Sequence, residues 1–241
     1  MRALVKRLTN AALRPLGVQL VAAADDERQA LVDLLHGRSI GHVLDIGANK
    51  GQFARQLLEK GYRGKIHCCE PLSEAHAALS AAFGGHAQVE VLPRCAVGER
   101  SGEIAINIAG NSVSSSVKPM LASHSDAAPL SVYEGSEKVP LTTLDDLLAV
   151  RADILAEGLL IKIDTQGNEA EVLAGGQDSL AKSSGVLLEM SVSELYEGQA
   201  LWDKLHSTLV DAGFALWNLM PDFRDPRTGR LLQFDGLYLR D

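Results

Sequence analysis

A chain of 241 residues has room for one large domain with a sizeable core, or for two small ones. Its 46% apolar and 22% charged content is ordinary for a soluble globular protein. The formal charge of −8 argues against a nucleic-acid partner, because phosphate contacts need clustered Lys and Arg, and no apolar run approaches the length that spans a bilayer.

The charge is uneven at the start. Arg2, Lys6, Arg7 and Arg14 fall in the first twenty residues, which hold no acid, and Leu4, Leu8, Ala11, Ala12 and Leu16 recur among them at helical spacing. With no long apolar core and no small-residue cleavage site, the segment does not read as a signal peptide. It reads as a helix packed on the domain, within an N-terminal helical extension over residues 1–40. The alternative is a weak membrane-surface contact through residues 1–20 of an otherwise cytoplasmic protein, placing it at the inner membrane face. Cys68, Cys69 and Cys95 lack metal-type spacing and read as reduced, buried thiols, so no metal is assigned.

From residue 42 to about 220, apolar runs alternate with helical patterns, which predicts a doubly wound α/β fold: a parallel sheet with helices on both faces. The first strand is 42–47 and its helix 50–60, stopped by Gly61. The second strand is 65–70, after which Ser73 caps a helix through Phe83 that ends at Gly84-Gly85. A third strand covers 89–93, and an inserted one 103–108 follows the turn at Gly98. Residues 110–138 are the least regular, with Asn111, Ser112, Ser114, Ser115, Ser116, Pro119, Ser123, Ser125 and Pro129. They form an inserted Ser-rich loop that reads as a lid or substrate loop, with disorder as the competing reading. Thr143 caps a short helix 144–150, whose first turn carries Asp145 and Asp146. Strand 159–164, helix 169–174, strand 185–190, amphipathic helix 201–212, strand 215–220 and a last strand 235–239 complete the order.

The chemistry concentrates in Val43-Leu44-Asp45-Ile46-Gly47-Ala48-Asn49-Lys50-Gly51, followed by Cys68-Cys69-Glu70-Pro71. An apolar strand ends in a glycine-bearing turn, and a lone acid, Glu70, closes the next apolar run 19 positions past Gly51. A nucleoside-bearing cofactor is held in this way: the glycines admit the ligand to the backbone and the acid takes the ribose hydroxyls. The spacing is Gly-x-x-x-Gly, not Gly-x-Gly-x-x-Gly. That favours S-adenosylmethionine, which has a ribose and a sulfonium but no phosphate, and so a methyltransferase. An NAD-binding oxidoreductase is the rival. A non-catalytic module on the same fold is the third reading, favoured only if side chains such as Phe53 or Met190 fill the pocket.

Six further segments accompany the first in one order: Cys69-Glu70-Pro71, Ala96-Val97-Gly98, Ser114-Ser115-Ser116, Thr143-Leu144-Asp145-Asp146-Leu147, Ile161 to Glu169 with its Asp-Thr-Gln-Gly-Asn-Glu run, and Asp235-Gly236-Leu237-Tyr238-Leu239. Over residues 42–240 the chain resembles the FkbM-type methyltransferases, S-adenosylmethionine-dependent O-methyltransferases that often act on sugars or natural products. The resemblance implies a Rossmann-like, doubly wound, mostly parallel seven-stranded sheet of the class I methyltransferase type, in a single domain over residues 41–241. It implies that Gly47, Ala48 and Asn49, with Gly51 closing the turn, line the methionine end of the cofactor while Asp45 orders the turn from beneath. Glu70 would hold the ribose and Pro71 would flank the adenine. Cys95 and Ala96 would lie near the adenine slot, with Arg94-Cys95 where a small polar residue is expected. Asp164 and Gln166 would face the sulfonium.

Methyl transfer to a hydroxyl needs a base, for which Asp164, Glu189 and His124 are the candidates, beside Glu169 in a helical first turn. Glu189 ends the apolar run Val186-Leu187-Leu188, where a carboxylate is costly unless it is partnered, and it is the preferred one. His206 reads as structural. The acceptor, a small molecule, sugar, glycolipid or natural product, would meet the Ser-rich loop with Tyr196, Trp202, Trp217 and Tyr238.

Overall fold

The computed structural model describes residues 26–240. The basic segment 1–20, with its packed-helix and membrane readings, lies outside the described residues. Helix α1 (Glu27–Gly37) opens the described chain, capped by the Asp26 carboxylate, which accepts from the Arg28 and Gln29 amides at 3.1 Å. Its Leu31, Val32 and Leu35 pack in one apolar cluster with Val43, Phe53, Leu57 and Leu160.

Next come β1 (His42–Ile46), α2 (Gln52–Glu59), β2 (Lys65–Cys69), α3 (Ser73–Phe83), β3 (Val89–Val91), β4 (Ala96–Gly98) and β5 (Gly102–Ala109). They are followed by α4 (Ala122–Ala127), β6 (Tyr133–Thr143), α5 (Leu144–Ala149), α6 (Ala152–Ala156), β7 (Leu159–Ile163), α7 (Glu169–Ala174) and α8 (Gln177–Lys182). The last elements are β8 (Gly185–Ser191), α9 (Trp202–Asp211), β9 (Ala215–Pro221) and β10 (Gln233–Leu239).

The main sheet has seven strands in the order β3-β2-β1-β7-β8-β10-β9. The first five are parallel, and β10 runs antiparallel to both β8 and β9. This is the expected doubly wound, Rossmann-like class I arrangement. The strand order reverses between β1 and β7, the switch point where such sheets bind ligands beyond their carboxyl ends. Strands β1, β7 and β8 are buried throughout because helices cover both faces. Their alternating side chains feed two cores: Leu44, Cys69 and Ile161 face one, Val43, Cys68 and Leu160 the other.

Two local expectations are corrected. Residues 133–138 are not loop but the first half of β6, which pairs antiparallel with β5 and parallel with β4 in a second, three-stranded sheet. Gly135, Ser136 and Pro140 interrupt the alternation that announces a strand. Ser73 does not cap α3: Leu72 holds that position, and the Ser73 amide and hydroxyl both donate to Glu137 at 3.0 Å. Thr143 caps α5 and Asp145 and Asp146 stand in its first turn, as expected; Asp145 also accepts from the Ser179 amide and hydroxyl at 2.8 and 2.6 Å.

Candidate active site

The carboxyl ends of β1, β2, β7 and β8 surround a cavity of about 410 Å³, within the ~300–1,000 Å³ usual for small-molecule sites. Gly47, Ala48, Asn49, Glu70, Pro71, Cys95, Ala96, Asp164, Gln166 and Glu189 line it. Asp45, Gly51 and His124 are not on its wall.

The glycine turn owes its composition to protein contacts. Gly47 has φ 81°, and a Cβ there would stand 1.9 Å from the Asp164 carbonyl oxygen. The ends of β1 and β7 converge too closely for any side chain. Gly51 also has φ 81°, and its Cβ would meet the Phe83 ring at 2.4 Å. It therefore seats α2 against α3, off the cavity wall.

Glu70 is buried, and its carboxylate ties the turn to the chain after β2. Oε2 accepts from the Asn49 amide at 2.8 Å and Oε1 from the Leu72 amide at 2.9 Å. Burial pushes its pKa up, and these two donors oppose that. Each carboxylate oxygen keeps one lone-pair site free on top of its backbone donor.

Beneath the turn lies an ion cluster whose cation the sequence reading missed. Lys162, buried in β7, places Nζ 2.9 Å from Asp45 Oδ1 and 3.3 Å from Asp164 Oδ2. Burial works against the ammonium charge, and the Asp45 and Asp164 carboxylates outweigh it, so the Lys162 pKa is raised. A lysine inside the run Leu159-Leu160-Ile161-Lys162-Ile163 was itself the signal, since a charge in a covered strand must have a partner.

Gln166, held at φ 53°, is the hub of the other wall. Its Nε2 donates to Asp164 Oδ1 at 2.8 Å and to Glu189 Oε2 at 2.7 Å, while its Oε1 accepts from the Tyr196 hydroxyl at 2.8 Å. Its backbone carbonyl accepts from Ser116 Oγ at 2.6 Å. Glu189 Oε2 takes a second amide donor, Gln233 Nε2, at 2.7 Å. Burial, then Asp164, Glu169 and Asp235, push the Glu189 pKa well above the carboxylate range. Glu169 is buried away from the cavity, where its carboxylate accepts from the Thr165 and Gly167 amides at 3.0 Å; it braces the loop.

Other candidates stand elsewhere. His124 is buried against Tyr196 and Phe223 with Nδ1 unpaired among the described residues, and burial lowers its pKa to about 4. Tyr196 and Tyr238 are core residues, Trp202 and Trp217 are exposed, and none of the four lines the cavity. Arg94 turns to Glu137 and leaves the wall to Cys95, whose Sγ lies 3.5 Å from that of Cys69. Ser112, Ser115 and Ser116 line the cavity, and Ser112 Oγ and Asn49 Nδ2 lie 3.3 Å apart. Asp235, from the closing motif, lines it too, as do Arg28 and Asp222, from segments in which no motif marked them.

The methyltransferase FkbM domain family model matches residues 45–216, well over half of the chain. The chain is 30% identical over 183 residues to the 2-O-methyltransferase NoeI of Sinorhizobium fredii (strain NBRC 101917 / NGR234), covering 71% of this chain and 74% of that one. Among solved structures, a putative tRNA (m1A22) methyltransferase of Streptococcus pneumoniae in complex with S-adenosyl-L-methionine is similar at 13% identity and TM-score 0.47, covering 88% of this chain and 72% of that one. A SAM-dependent methyltransferase of Aquifex aeolicus is similar at 12% identity and TM-score 0.41, covering 87% and 88%. These structural likenesses are distant, and the assignment rests on the sequence matches, which set the NAD-binding oxidoreductase aside. The chain belongs to the FkbM methyltransferase family, with S-adenosylmethionine as its methyl donor.

Proposed function

We propose that this protein methylates a hydroxyl oxygen of a sugar or of a small molecule that carries one, such as a glycolipid or natural product. The observation that carries this reading is Glu189: a buried carboxylate on the cavity wall, held by two side-chain amides, whose pKa burial pushes well above the carboxylate range. A relative whose name is 2-O-methyltransferase supports the choice of oxygen.

The residues fit the cofactor. Glu70 offers two acceptor positions to the ribose diol, Pro71, Cys95 and Ala96 bound an adenine slot, and Gly47, Ala48 and Asn49 receive the methionine end. Asp164, with Gln166 beside it, places negative charge where the sulfonium requires it. When bound, S-adenosylmethionine supplies an already activated methyl group, so the protein has to align the acceptor oxygen, exclude water and take up one proton. Glu189 accepts that proton at a carboxylate oxygen as the new C–O bond forms. Gln166, anchored by Tyr196 and Ser116, fixes the carboxylates of Glu189 and Asp164 relative to each other. The cavity is open, which disfavours a non-catalytic module: Phe53 lies on the wall without filling it, and Met190 is in the core.

Methyl-labelled S-adenosylmethionine incubated with glycosides, carboxylic acids and amines tests the proposal. Label in a glycoside product that resists mild alkali is expected. Label released by alkali, as from a methyl ester, or found only in amines would overturn it.

A further inference from the structure

We infer that Arg28 binds the α-carboxylate of the methionine portion of S-adenosylmethionine, resting on the cofactor's place in this cavity. Arg28 is on α1, ahead of residues 45–216 matched by the family model. Among the described residues, Arg28 and Lys162 are the two Lys/Arg cations on the cavity wall. Lys162 is engaged by Asp45 and Asp164. Arg28 is not so committed. Its Nη2 is 3.5 Å from Asp235 Oδ2, longer than a good hydrogen bond, and its Nη1 is shielded from water with no hydrogen-bond partner among the described residues. A buried unpaired guanidinium donor calls for a partner.

Its location suits the amino-acid end of the ligand. The guanidinium lies 5.0 Å from the centre of the Phe53 ring, in the first turn of α2 just beyond the glycine turn. Lys162, which reaches toward the Gly47 carbonyl, is 5.6 Å from the same ring. With the ribose at Glu70, a cofactor laid across Gly47 brings its methionine head to this corner. The head is a zwitterion, and the corner offers both complements: the planar fork of Arg28 for the carboxylate, and Asp235 and Asp222 for the ammonium. The Asp26–Lys60 ion pair fixes the start of α1 against the end of α2, so the fork is held in place before the ligand arrives.

Calorimetric titration with S-adenosylhomocysteine and with 5′-methylthioadenosine, which lacks the amino-acid head, tests this. Two variants are used: R28M keeps the stem over Phe53, and R28K keeps the charge without the fork. R28M is expected to bind S-adenosylhomocysteine about ten-fold or more weakly, with 5′-methylthioadenosine within about two-fold of wild type and R28K in between. Equal losses for both ligands, or a melting temperature of either variant far below wild type, would assign Arg28 to the fold instead. Unchanged S-adenosylhomocysteine affinity would remove it from the site. If the wild type bound neither ligand, the cofactor placement itself would fall, and the inference with it.

Discussion

Lys162 Nζ lies 2.9 Å from Asp45 Oδ1, between residues that are register partners on adjacent parallel strands. Asp45 has no exposed surface, so its charge depends on that ammonium. Removing one member of such a pair leaves the other charge stranded in the core. Lys162→Met should therefore destabilise the fold by about 3–5 kcal/mol in urea denaturation. Adding Asp45→Asn should restore at least half of the loss. Additive losses would show that the two residues act independently.

Glu70→Ala should weaken S-adenosylhomocysteine binding by about 1.5–3 kcal/mol, the range for hydrogen bonds to a charged group. The same change frees the Asn49 and Leu72 amides, so the ligand-free protein should also melt lower. Calorimetry and thermal denaturation read the two effects separately, and unchanged affinity would exclude Glu70 from the ribose site.

Gly47→Ala should act on the fold first. The new Cβ meets the Asp164 carbonyl at 1.9 Å, in a backbone conformation that costs an L-residue about 1–3 kcal/mol before any clash. A total loss of about 3 kcal/mol or more is expected in denaturant titration. A variant of normal stability that lost only cofactor affinity would mean that the turn is shaped by the ligand and not by β7.

Glu189→Gln keeps the shape of the side chain but cannot take a proton. The expected outcome is a fall in kcat of about 10²–10⁴, with S-adenosylhomocysteine affinity near wild type. A fall confined to KM for the acceptor would make Glu189 a binding group and shift the base to Asp164.

Asp235 and His124 should tilt the pH dependence of stability in opposite directions. Burial raises the Asp235 pKa to about 6. The folded chain then holds this proton more tightly than the unfolded chain, and the residue adds stability as pH falls from 6 to 4. Burial lowers the His124 pKa to about 4. Its contribution is present above pH 6.5 and lost as pH falls from 6.5 to 4. Each shift corresponds to about 3 kcal/mol at most. In urea titrations across pH 7.5 to 4.5, D235N should steepen the acid loss of stability relative to wild type, and H124F should flatten it. Parallel curves for all three proteins would contradict both assignments.

Local sequence determined the order of the elements and the rim of the cavity. An apolar run of strand length, a turn and a helical period repeat legibly, and in a doubly wound sheet the residues at strand ends must gather at one edge. Asp45, Gly47, Glu70, Asp164 and Glu189 were placed at such ends by that rule. Tertiary structure decided what each one touches. Gly51 faces Phe83, the serines after β5 bind the glycine turn and Gln166, and His124 is packed away among aromatic rings. Residues 133–138 became a strand only by pairing with β5. Lys162 was visible as a misplaced charge, but its partner is on another strand. Arg28 and Asp235 belong to opposite ends of the chain and meet only because α1 packs against the sheet. Periodicity reports the burial of a face through neighbouring residues. Pairing of side chains far apart in sequence depends on how the faces are brought together, and no local pattern contains that.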